Sequence, residues 1–169
     1  MSRRLRRLVA PPLLVCVAVI GVGVANAAAQ GETTPCDLLT RSEIKSVFKG
    51  KTAEGLRNGP TCTWEIKGGS AKAKGADLEL AAAGAASVDY EADDGEVVTG
   101  LGDEAYFDAG SDLLGVTEGD TTLLLTYLSR RPVSDEKIQT RLEQVAEYAL
   151  ERCRTLAPNY PCGLTDIAE

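Results

Sequence analysis

No histidine occurs anywhere in the 169 residues. That removes the imidazole from every mechanism: the chain can build no histidine general base, no Ser-His-Asp triad and no histidine metal ligand. C-x2-C pairs are also missing, and with them the usual spacing of a thiolate zinc site. Basic residues are in deficit, 18 Lys and Arg against 25 Asp and Glu, for a net charge of −7. An acidic surface repels phosphate backbones and anionic lipid, so no nucleic-acid partner is expected. The acidity serves solubility.

The first acid is Glu32, and the segment before it is distinctive. Arg3, Arg4, Arg6 and Arg7 form a basic head, and an apolar run from Leu8 to Val24 follows, broken only by Pro11 and Pro12. Ala25-Asn26-Ala27 then gives the small-x-small pattern of a signal-peptidase site. The charge asymmetry orients such a chain for export. Residues 1–27 are therefore expected to be a cleaved signal peptide, with an uncleaved N-terminal membrane anchor as the alternative. Arg6-Arg7-Leu8-Val9-Ala10 also loosely resembles a twin-arginine signal. Cys16 follows Val15 rather than a small residue, which argues against lipidation there. Loss of residues 1–27 removes four basic residues and no acid, taking the net charge from −7 to −11.

Four cysteines remain beyond that segment: Cys36, Cys62, Cys153 and Cys162. An even number after an export signal reads as two disulfides, with three possible pairings. The pairing expected is Cys36–Cys62, tying a helix start to a strand start, with Cys153–Cys162 pinning the tail onto the last helix. Zinc is the competing reading, disfavoured by the absent histidine and spacing.

Leu39-Thr40-Arg41-Ser42-Glu43-Ile44 carries the signals of a helix start: Thr40 and Glu43 as a capping box, Leu39 and Ile44 as a hydrophobic staple. Gly50 is expected to stop this helix. From Thr61 to Lys67, Cys62, Trp64 and Ile66 alternate with polar residues, as in a half-buried strand. Leu78 and Leu80 alternate with Asp77 and Glu79 in a second strand. Val88 and Tyr90 suit a third, and Val97-Val98 with Ala105-Tyr106-Phe107 a fourth, interrupted at Gly100 and Gly102. Leu113–Thr117, a Gly119-Asp120 turn and Thr121–Leu128 predict a hairpin. Residues 81–96 are ambiguous between helix, strand and loop. A last helix is predicted from Asp135 to about Arg154, capped by Ser134, with Ile138, Leu142, Val145, Ala146, Ala149, Leu150 and Cys153 in one stripe. The expected fold is α+β: an antiparallel sheet of about five to six strands flanked by a short N-terminal and a long C-terminal helix. The domain is placed at residues 35–157, after a linker at 28–34 and before a disulfide-tethered tail at 158–169.

Cys36-Asp37-Leu38-Leu39-Thr40 opening a helix, Cys62-Thr63-Trp64 heading a strand, Gly100-Leu101-Gly102-Asp103-Glu104-Ala105-Tyr106, a Gly-Asp hairpin and a long final helix occur in this order. Together they resemble a family of actinobacterial secreted proteins and lipoproteins that carries a domain of unknown function. The resemblance implies an extracytoplasmic α+β domain, distantly like the extracellular sensor domains of some actinobacterial kinases, and implies no established activity. A usable lipobox, common in that family, is missing, and the tail cysteines lie outside its core pattern.

Ser42-Glu43-Ile44-Lys45 matches S-x-x-K, and Ser46-Val47-Phe48-Lys49 matches it again a turn later. The companion S-D-N and K-T-G motifs are absent, and Lys51-Thr52-Ala53 is only a partial echo. Polar residues on the solvated side of a capped helix account for both matches. Gly100–Ala105 fits the loosest dinucleotide fingerprint, but Asp103 and Glu104 would meet a pyrophosphate with like charge, so a bulge or turn between strands is expected. Asp89, Glu91, Asp93, Asp94 and Glu96 lack the EF-hand spacing and read as a solvated loop. Trp64 is expected in the core; Tyr90, Tyr106 and Tyr127 are left open between core and ligand groove. No cofactor and no catalytic or metal residue is assigned. The expected function is a non-enzymatic exported domain that binds an unknown envelope protein or a small ligand. The rivals are a small hydrolase with Ser42 as nucleophile and Lys45 as base, and a structural envelope component.

Overall fold

The computed structural model describes residues 33–68, 75–84 and 95–156, all within one unit, Gly31–Glu169. A 3-10 turn, Pro35–Asp37, opens the described chain. The Asp37 carboxylate accepts from both the backbone N–H and the hydroxyl of Thr34, at 2.8 Å each. Helix α1 follows at Arg41–Phe48. Its capping box forms as the sequence predicts: Thr40 N donates to Glu43 Oε2 at 2.6 Å and Glu43 N donates to Thr40 Oγ1 at 3.3 Å. Leu39 and Ile44 are both buried, as a staple requires. The expected stop at Gly50 is corrected by one residue, because Lys49 takes the left-handed conformation (φ 57°) and its N–H closes on Lys45 O. Gly50 has a different job. A Cβ there would stand 2.8 Å from Ile66 Cγ2, so the chain can cross the first long strand only without a side chain.

Among the described residues eight strands form one antiparallel sheet: β1 Lys51–Thr52, β2 Leu56–Asn58, β3 Thr61–Lys67, β4 Ala76–Gly84, β5 Glu96–Val97, β6 Glu104–Asp108, β7 Leu113–Glu118 and β8 Thr121–Ser129. Their order is β1-β3-β4-β8-β7-β6-β5, with β2 also pairing β3 beyond β1. Helix α2, Asp135–Leu156, closes the described chain, with the Ser134 carbonyl taking its first helical hydrogen bond from Ile138 N at 3.1 Å. The α+β class and the two helices therefore stand, and the strand count is corrected from five or six to eight. β1 and β2 escape a periodicity reading because they are short and polar. The interrupted fourth strand is also corrected: Val97 and Tyr106 are paired across β5 and β6, so the Gly100–Gly102 stretch is the connection of a hairpin rather than a break in one strand. Of the ambiguous stretch 81–96, residues 81–84 complete β4 and Glu96 begins β5, while 85–94, including Val88 and Tyr90, lie outside the described residues.

Register places the apolar alternates on one face. Trp64 pairs Leu78, which pairs Tyr127; Cys62 pairs Leu80, which pairs Leu125. Leu114, Val116, Ala105 and Phe107 continue that face through β7 and β6, and all are buried. The α2 stripe from Ile138 to Cys153 packs against it, buried at every position named from the sequence. Each such leucine or isoleucine taken from water contributes about 1.5–3 kcal/mol before entropy is counted. α1 is wedged at one end of this interface: Phe48 stacks on Tyr127 with ring centroids 4.9 Å apart, and the Arg141 guanidinium of α2 lies 5.7 Å from the centroid of the Phe48 ring. Arg152 of α2 reaches Glu43 of α1 at 2.5 Å, and Arg154 forks onto the Glu118 carboxylate at 2.5 and 2.7 Å. The last turn of α2 is thereby tied to both α1 and β7. Among the described residues no helix is long and apolar enough to cross a membrane.

Candidate functional site

Cys36 and Cys62 form a disulfide with Cα atoms 5.1 Å apart, joining the 3-10 turn to β3 as the sequence predicts. Cys153 is also disulfide-bonded. Cys162, its expected partner, lies outside the described residues. A disulfide is compatible with an extracytoplasmic location.

The Cys36–Cys62 link and the wedge of Phe48 fix α1 at both ends, and this sets one wall of a groove. Thr40, Arg41, Ser42 and Lys45 of α1 face Lys51 and Thr52 of β1 across a cleft of about 660 Å³. That volume falls in the range of small-ligand sites. Of its six described lining residues three are cations, three carry hydroxyls, and none carries a carboxylate. Arg41 is paired to Glu54 at the surface. Among the described residues neither Lys45 nor Lys51 has an ion-pair partner. Thr52 Oγ1 is buried and has no hydrogen-bond partner among the described residues. A buried hydroxyl without a partner is costly, and so marks a place where an acceptor or donor is wanted.

Ser42 and Lys45 thus share a groove, but the hydroxyl of Ser42 is 2.9 Å from Thr40 Oγ1, and no hydrogen bond links it to Lys45 among the described residues. Ser46 donates to the Glu43 carbonyl at 2.6 Å, the ordinary back-bond of a helical serine. The two S-x-x-K matches therefore differ: the first lines the cleft and the second does not.

No family model, curated protein or solved structure matches this chain. The site has to be read from its own geometry.

Gly100–Asp103 makes a strand connection, as expected, and Glu104 and Ala105 begin β6. Leu101 is buried, Gly102 sits at φ 60° against β7, Asp103 N donates to Thr117 O at 2.8 Å, and the Asp103 carboxylate accepts from Gly119 N at 2.7 Å. One acidic side chain thereby holds the β7–β8 turn. Of the acidic run, 89–94 lie outside the described residues and Glu96 is exposed on β5. No group of three or more metal-ligating side chains occurs among the described residues. Trp64 is in the core with Cys62 and Ile66. Tyr127 is fully buried on the helix-covered face, and burial pushes its hydroxyl pKa up against the opposing pull of Arg141. Tyr106 is half-buried on the opposite face, so these two tyrosines line no common groove.

A second, more open cleft lies where the β6–β7 turn meets the start of α2. Asp112 there is left-handed (φ 52°) and its carboxyl is pushed above the ordinary range by burial, with Asp135 and Asp108 adding repulsion. Asp108 moves the opposite way, held down by the Ser111 hydroxyl and the Gly110 N–H. Charges in this cleft are mixed, since Arg130 and Arg131 also line it.

Arg41, Lys51, Thr40 and Thr52 were not singled out as site residues from sequence. A signal was present: residues 41–51 hold four cations and one acid in a chain with an overall acidic balance.

Proposed function

We propose that this chain is an exported, non-enzymatic binding module of the extracytoplasmic envelope, whose ligand seats in the groove between α1 and β1. The observation that carries the reading is that groove: a ligand-sized cleft lined by two lysines that have no ion-pair partner among the described residues. Export is supported by the cationic head and apolar run of residues 3–24, the Ala25-Asn26-Ala27 site and the Cys36–Cys62 disulfide.

The test has two parts. Intact mass of the exported protein is expected to show loss of residues 1–27 and of four hydrogens; a full-length chain with four alkylatable thiols overturns the export reading. The same protein is then screened by thermal shift against fractionated envelope small molecules, neutral and charged. A fraction that raises the melting temperature of wild type, but not of the Lys45→Glu/Lys51→Glu variant, supports a binding groove. Equal shifts in both proteins, or none, sink it.

The presence of Ser42 and Lys45 in one cleft favours a second reading, a Ser-Lys hydrolase. Stoichiometric labelling by a fluorophosphonate probe, lost in Ser42→Ala, would establish it and displace the binding module.

A further inference from the structure

We infer that the α1–β1 groove takes a small organic phosphate. The inference rests on the groove being a binding site and adds the chemical class of its occupant. The groove presents three cations, Arg41, Lys45 and Lys51. Glu54 neutralises one of them by pairing with Arg41, which leaves two positive charges without a carboxylate partner among the described residues. A phosphate monoester carries about −1.5 to −2 charge at pH 7 and three strong acceptor oxygens. It satisfies both lysines at once, whereas a single carboxylate satisfies one. The hydroxyls of Thr40 and Ser42 also line the groove, 2.9 Å from one another, with that of Thr40 donating to the Glu43 carboxylate.

Position on the helix adds to this. Arg41 and Ser42 stand in the first turn of α1, where the positive end of the helix dipole favours an anion. Glu43 is turned away from that role, its carboxylate being held by Thr40 and by Arg152 of α2. The cleft, at about 660 Å³, is much larger than a phosphate group, so the ligand carries an uncharged portion as well. The wider acidic surface does not oppose this: beyond about 8–10 Å its charges are screened at physiological salt, and the groove's own cations dominate near contact.

The experiment is an amide NMR titration of the exported protein at fixed ionic strength, with inorganic phosphate, glycerol 3-phosphate, succinate and glucose as separate probes. Saturable shifts at Arg41, Ser42 and Thr52 are expected with both phosphates, tighter for glycerol 3-phosphate. Lys45→Gln and Lys51→Gln are each expected to weaken Kd about tenfold, as loss of a charge-assisted hydrogen bond does. Lys137→Gln, on the exposed side of α2, is expected to leave it unchanged. Phosphate shifts that do not saturate, or that persist unchanged in Lys45→Gln and Lys51→Gln, overturn the assignment. A saturable response to succinate or glucose alone overturns the phosphate class and leaves the binding-module reading standing. That reading fails separately, in the fractionated screen, which does not depend on phosphate.

Discussion

Replacing Gly102 by alanine tests whether the Gly-Leu-Gly-Asp stretch is a structural corner. Two glycines lie in it, both left-handed, at φ 83° for Gly100 and 60° for Gly102. They differ in surroundings. A Cβ on Gly100 meets nothing within 4 Å, whereas one on Gly102 falls 2.6 Å from the Thr117 carbonyl oxygen and 2.8 Å from Val116 Cγ1. Gly100→Ala is therefore expected to incur only the left-handed penalty, about 1–2 kcal/mol. Gly102→Ala incurs that penalty and also pushes away the carbonyl that accepts from Asp103 N. Displacing Asp103 in turn threatens its carboxylate bond to Gly119 N. Two hydrogen bonds at about 1 kcal/mol each bring the expected loss to roughly 3–4 kcal/mol. Urea unfolding followed by Trp64 fluorescence reads both variants, and the gap corresponds to a midpoint difference of about 1 M. Equal losses at the two glycines would refute the reasoning, because only the close approach to β7 separates them.

Removing the Cys36–Cys62 link by double alanine substitution is expected to cost about 3.5 kcal/mol from the loop of 26 residues it closes, measured by denaturation against the oxidised parent. Glu43→Ala removes a capping box and the partner of Arg152 together, for about 2 kcal/mol, while Arg152→Ala loses about 1 kcal/mol or less; a thermal-melt cycle in which the two add without coupling would argue against a shared network. The Asp112 carboxyl is raised in the fold, so its ionised form is disfavoured there: the resulting penalty is present above the folded pKa and is relieved as pH falls through it. Asp112→Asn is thus expected to stabilise at neutral pH, with the gain shrinking on acidification, as a pH series of melting temperatures shows. Thr121→Val removes a buried hydroxyl without a hydrogen-bond partner among the described residues and is expected to add about 1 kcal/mol of stability by urea midpoint.

What could be seen in the sequence follows from which signals are local. The box of Thr40 and Glu43, the alternation through Cys62, Trp64 and Ile66, and the stripe from Ile138 to Cys153 each lie within one element and announce its buried side. The disulfide between Cys36 and Cys62 was legible because few pairings were available. β1 and β2 were not legible, since Lys51–Thr52 and Leu56–Asn58 become strands only by pairing with β3. Lys49 took the left-handed position expected of Gly50 because the crowding against Ile66, which claims the glycine, is a tertiary fact. The groove was hidden for a related reason. Lys45 and Lys51 are close in sequence, but only the turn after α1 makes them opposite walls of one cleft. Ser42 and Lys45 match a nucleophile motif and share the cleft, but among the described residues they lack the hydrogen bond such chemistry needs.

Among the described residues both rims of the sheet are built from fragments. On one side β3 is bordered by pieces of two and three residues, and on the other the row ends in the two residues of β5. A foreign strand needs an uninterrupted run of open amides and carbonyls to zip onto, and fragments this brief offer no such run. A chain whose central strands are rich in leucine can therefore be kept at high concentration without recruiting its neighbours into fibrils.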